Sequence, residues 1–186
     1  SYGLPLATLQ VEEGCTVRNN KNSNMRIGSV TGGGTLGGSH GWTVGNDSGQ
    51  LNSFSGTITG SLTKVGNNSL RLSGENILEG NTDIKNGSLV VGNIAKKTSA
   101  TGCGTLTIHN QGILTGAGYI ENKKVIIASG GILRPGMNYL NSLRIKSDIE
   151  QQQGGIIEWQ LNGNNSVSAI REVGKLTLKG TLRIRL

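Results

Sequence analysis

Aromatic residues are scarce in this 186-residue chain: one Phe, two Trp and three Tyr. A core must therefore be built from Leu, Ile and Val in repeated layers, not from aromatic plugs. Proline is nearly absent (2 residues), which argues against a Pro-rich linker and, despite the abundant glycine, against a collagen. No apolar run approaches the ~18 residues of a membrane-spanning helix. Helix-period stretches are missing too, and the many Gly, Asn, Ser and Thr residues disfavour helix. With only two cysteines and two histidines, a dense disulfide framework or a Cys/His zinc site has little to work with.

Glycine is what the chain has in excess: 31 residues, more than twice the ~7 % norm. Short alternating bursts recur behind small turn residues. Examples are Ser69-Leu70-Arg71-Leu72, Gly87-Ser88-Leu89-Val90-Val91, Gly104-Thr105-Leu106-Thr107-Ile108 and Ser142-Leu143-Arg144-Ile145. Alternation over four or five residues, bounded by Gly, Asn or Ser, reads as short strands. The pattern returns every 17–27 residues or so, which is solenoid spacing. The expectation is an all-β right-handed parallel β-helix of roughly nine rungs, about 40–45 Å long at ~4.8 Å per rung. It should form one domain over 1–186. A sandwich would carry aromatic core residues and regular hairpin turns instead.

Phe54-Ser55-Gly56-Thr57-Ile58-Thr59-Gly60 runs into Leu62-Thr63-Lys64-Val65-Gly66, then Ser69-Leu70-Arg71-Leu72-Ser73-Gly74-Glu75-Asn76. Gly80-Asn81-Thr82-Asp83-Ile84 and Gly87-Ser88-Leu89 follow, and further on Gly130-Gly131-Ile132-Leu133-Arg134-Pro135-Gly136. This order, spanning about residues 42–161, resembles the passenger-associated transport repeat, or autotransporter-associated β-strand repeat. Asn76-Ile77-Leu78 stands where that pattern has Asn-Thr-Tyr, and Cys103 where a small polar residue is usual. The resemblance implies a right-handed β-helix of the pectin-lyase-like shape on a secreted or cell-surface bacterial protein. It further implies a non-enzymatic stalk or passenger segment that supports export-coupled folding and display, with a role in adhesion. Its partners would be other domains of a longer chain, glycans or a host surface. A polysaccharide-binding or polysaccharide-processing module on the same scaffold is the alternative. Ser1 and Leu186 are read as the ends of an excised piece.

The candidate chemistry is sparse. Asp47, Asp83 and Asp148 are scattered, and no acid pair stands out for hydrolysis or elimination. His40 and His109 fall on different rungs with no neighbouring acid. The glycine clusters at 32–34 and 37–38 lack the Gly-Lys-Ser/Thr of a phosphate loop. No catalytic, cofactor or metal residues are assigned, and no cofactor is expected. Trp42, Tyr119 and Tyr139 are candidates for stacking on sugars, while Trp159 shares a strand face with Ile157 and Leu161 and is read as core or an end plug. The net charge of +7 suits anionic surfaces or polysaccharides. Nucleic acid is not an expected partner, because interleaved stacking aromatics are missing. Cys15 and Cys103 lie about four rungs, or ~20 Å, apart. That exceeds the ~7 Å Cα reach of a disulfide, so two free thiols follow unless the N-terminal stretch folds back as a cap.

Overall fold

The short alternating bursts form strands that pair in parallel with the equivalent burst of the coil before and the coil after. The computed structural model describes residues 3–92, 98–136, 142–162 and 166–185. Among these it contains strands, turns and bends but no helix. The chain winds as a right-handed parallel β-helix of about eight turns, or about 40 Å of stacked coils. No helix is long and apolar enough to cross a membrane.

Three parallel sheets, here A, B and C, wrap the core. Sheet A stacks Trp42–Val44, Leu62–Lys64, Thr82–Ile84, Thr105–Ile108, Lys124–Ile127, Asp148–Gln151 and Leu176–Leu178. Sheet B stacks Leu51–Phe54, Ser69–Leu72, Gly87–Val91, Gly112–Gly116, Ile132–Pro135, Ile156–Asn162 and Thr181–Arg185. The long strands Gly3–Val11 and Met25–Gly32 run through the corner from A into B. Sheet C is built of two shorter stacks. One is Thr16–Asn19 with Thr35–Gly38 and Thr57–Ile58; the other is Gly118–Ile120 with Ser142–Ile145 and Ala169–Arg171.

Register turns the period-two alternation into columns, because a strand that pairs in phase keeps each side chain on the same face as its neighbour. In sheet A one inward column runs Met25, Trp42, Leu62, Thr82, Leu106, Val125, Ile149. In sheet B another runs Leu70, Leu89, Leu114, Leu133, Ile157, and each of these is fully buried. Burying such a side chain is worth about 1.5–3 kcal/mol. At the last coil Leu176, Leu178, Leu182 and Ile184 continue the columns and are about half exposed.

Coil lengths are uneven. Successive partners in sheet A are 17 residues apart from Met25 to Trp42, yet 27 apart from Ile149 to Leu176. The excess sits at corners; the last long coil spends it on an antiparallel pairing of Leu161 with Val167. These longer coils are why the chain completes about eight turns where an even 20-residue rung would give nine.

Cys15 and Cys103 are both free and exposed. They lie in different coils, as their spacing requires. Both should therefore titrate with a thiol reagent in the native protein without denaturant, giving two equivalents; fewer than two would mean that one thiol is shielded or paired.

Candidate functional site

Trp42 is no sugar platform. It is fully buried, on the inward side of its strand with Val44, between Met25 and Leu62 in their column. Its indole Nε1 has no hydrogen-bond partner, so the residue serves the core by volume alone. Tyr119 faces outward on sheet C but is only 8 % exposed. The Arg144 guanidinium lies 5.3 Å from its ring centroid and the Lys146 ammonium 5.8 Å. Such cation–π cover is favourable, and a sugar would have to displace it. Tyr139 lies outside the described residues. Trp159 is half-buried and packs against the core near its last coil.

The outer faces are tied from coil to coil by ion pairs. On sheet A, Lys124 bonds Glu150 of the next coil, and His109 lies 2.8 Å from Asp83. On sheet C, Arg144 meets Glu172 at 3.0 Å and Lys146 meets Glu121 at 2.8 Å. The hydrogen bond from Lys124 holds the Glu150 carboxyl below its usual range, and the hydrogen bond to Glu121 raises the Lys146 ammonium above its own. The His109–Asp83 contact corrects the expectation that neither histidine has an acid beside it. The two residues are 26 apart in sequence and meet only through the stacking of coils.

Sheet B carries the densest cluster. The Glu158 carboxylate points outward yet is completely covered, with Arg134 Nε at 2.6 Å, Arg185 Nε at 3.0 Å and Arg183 Nη1 at 3.2 Å. Burial pushes its pKa up, but the Arg134 hydrogen bond and charge, the Arg183 hydrogen bond and the Arg185 charge outweigh it, leaving the carboxyl below its ordinary value. A carboxylate whose folded pKa is depressed contributes stability that is lost as pH falls through that lower pKa. Removing one partner of a covered ion pair costs about 3–5 kcal/mol when the other charges stay buried. These arginines are 24–54 % exposed, so water compensates in part. Glu158→Gln should accordingly lower stability by about 1–3 kcal/mol at neutral pH, and the loss should shrink as pH falls through the lowered pKa of the carboxyl, read as the shift in urea midpoint.

Lys64 is the second unusual group. Leu62 points inward, so the residue two positions on does too. Lys64 therefore occupies the core column between Val44 and Ile84 and is fully buried. Its Nζ donates to Val65 O (2.6 Å), Asn68 Oδ1 (2.9 Å), Gly66 O (3.0 Å) and Asn86 O (3.2 Å). Three N–H bonds thus face four oxygens around the corner from sheet A to sheet B, two coils deep. Burial pushes its pKa down to about 8, against the opposing pull of Asp47.

No group of three or more His, Cys, Asp or Glu residues that could hold a metal occurs among the described residues. A shallow groove of about 310 Å³ crosses sheet B, lined by Leu51, Ser69, Val90, Thr115, Arg134 and Gln160. An apolar hollow of about 460 Å³ opens at the first coil, lined by Leu4, Ala7, Leu9, Val17, Met25 and Ile27 among others. No family model matches the sequence, and no curated protein matches it either.

The alternation of Leu62, Thr63 and Lys64 carried the signal for an inward lysine. The Glu158 cluster had no local signal, because Arg183 and Arg185 come from the next coil.

Proposed function

We propose that this segment is a rigid, non-enzymatic spacer of a bacterial secreted or surface protein. It would hold other parts of a longer chain at a fixed distance and assist their export by folding coil upon coil. The observation that carries this reading is the run of inward columns in sheets A and B, in which, among the described residues, each strand pairs with its equivalents in the coils before and after it. Nearest-neighbour stacking of that kind makes growth from an existing end cheaper than a new start. The ion pairs between successive coils on all three faces stiffen the same axis. The resemblance of residues 42–161 to the passenger-associated repeat points the same way.

Pulling single molecules in an optical trap tests it. Refolding under load should proceed in small steps from one end, each the length of one coil. All-or-none refolding of the whole segment would overturn the export role.

A further inference from the structure

We propose that the outer face of sheet B binds a linear polysaccharide bearing carboxylates. The three faces differ in how their charge is compensated. Outward strand positions of sheet A carry Arg26 and Lys124 against Asp83, Asp148 and Glu150; on sheet C Arg144 and Lys146 each meet a glutamate, while Arg18 and Arg171 have no carboxylate partner among the described residues. From Ser69 to Arg185, the described outward positions of sheet B hold four guanidinium groups, Arg71, Arg134, Arg183 and Arg185, and one carboxylate, Glu158. Among the described residues, sheet B is the face on which guanidinium groups stand in one outward column beside a groove.

The arginines are also aligned. Arg71, Val90, Thr115 and Arg134 are successive partners in one outward column, and Arg183 pairs with Glu158 two coils beyond Arg134. At ~4.8 Å per coil, Arg71 and Arg134 stand about 14 Å apart, and Arg134 and Arg183 about 10 Å. The groove described above lies along this line and offers Ser69, Thr115 and Gln160 to hydroxyl groups. An extended chain with repeated carboxylates matches that layout, because the guanidinium fork pairs a carboxylate through two hydrogen bonds. Nucleic acid fits less well, since no aromatic ring lines the groove for bases to stack on. A membrane surface fits less well too, because the face is a flat strand ladder with no amphipathic helix.

The test is binding of polygalacturonate to the unaltered chain at about 0.15 M salt, with dextran, oligothymidylate and phosphatidylglycerol vesicles as competing ligands. Thr115→Glu places a carboxylate in the middle of the groove beside Arg134, and Arg71→Gln removes an arginine that no carboxylate partners among the described residues. Each should weaken polygalacturonate binding about tenfold, the loss of roughly one charge-assisted contact. Thr43→Glu, on the outward side of sheet A beside Arg26, should bind as the unaltered chain does. Far-UV circular dichroism checks that each variant is folded. The proposal is overturned by no binding of polygalacturonate. It is equally overturned if oligothymidylate or the vesicles bind as tightly, or if Thr43→Glu weakens binding as much as Thr115→Glu. It stands or falls independently of the spacer role.

Discussion

Replacing Gly56 with alanine should cost on the order of 3 kcal/mol, and replacing it with valine should abolish folding. Gly56 sits at the corner from sheet B to sheet C. A Cβ there would lie 1.9 Å from the carbonyl oxygen of Gly34, one coil below, and 2.7 Å from Cζ of Phe54. The same corner one coil on is Gly74, whose added Cβ would lie 2.1 Å from Gly56 O. Backbone stacks directly on backbone in this column, and the inter-coil hydrogen bond from Thr57 N to Gly34 O passes beside the site. An added methyl cannot be absorbed by a side-chain rotation, so it must push two coils apart. Overpacking of a tight core commonly costs about 1–3 kcal/mol, and here the obstacle is main chain, which places the cost at the upper end. Gly49 is the contrasting case. Its φ of 69° is left-handed, but nothing lies within 4 Å of an added Cβ. Gly49→Ala should cost only about 1 kcal/mol, the ordinary penalty of that conformation. Equal effects of Gly56→Ala and Gly49→Ala on the urea midpoint would show that close stacking is not what requires glycine at the corner.

The second large effect belongs to Lys64 and to pH. Its ammonium ordinarily titrates near 10.5 but is pushed down to about 8 in the folded chain. Below pH 8 both folded and unfolded forms hold the proton, and the cost of burying the charge is fully present. Between about 8 and 10.5 the unfolded chain binds more protons, so stability rises with pH across that window. A difference of this size is worth on the order of 2–3 kcal/mol. Lys64→Met keeps the length of the side chain and suits the Val44–Ile84 column, but it removes the ammonium donor from three carbonyl oxygens and from Asn68 Oδ1, which keeps the Asn46 N–H. Whatever its net cost at pH 7, the variant should lack the alkaline rise. The stability of the unaltered chain relative to Lys64→Met should therefore grow by that amount from pH 7 to pH 10, measured by urea denaturation at constant ionic strength. A constant difference between the two chains would mean that the amine keeps its proton throughout.

Lys64 also marks where reading the sequence succeeds and where it stops. The parity of Leu62 and Lys64 aims the lysine inward; its charge type argues outward. Parity wins because four oxygens at the corner supply what water would have, and those oxygens come from two coils. Trp42 follows the same logic: Trp42 and Val44 flank an outward Thr43, and strand alternation alone would have placed the indole in the core. The alternating bursts, the glycine corners and the recurrence every 17–27 residues were all local signals, and the fold was legible from them. Contacts between coils were not. Asp83 with His109, and Glu158 with Arg183, are 25 or 26 residues apart, and they align only once the length of each corner is known. Because coil lengths drift from 17 to 27 residues, no fixed period finds these pairs.

That drift has an evolutionary consequence. The ladder fixes which residues stack, while the corners between strands take up whatever length is left over. Material can be spliced in or trimmed at a bend without moving a single rung, as the Leu161–Val167 excursion illustrates. A lineage built on this plan is free to decorate its flanks and keep its backbone architecture, so kinship between descendants would persist in three dimensions long after it had faded from their letters.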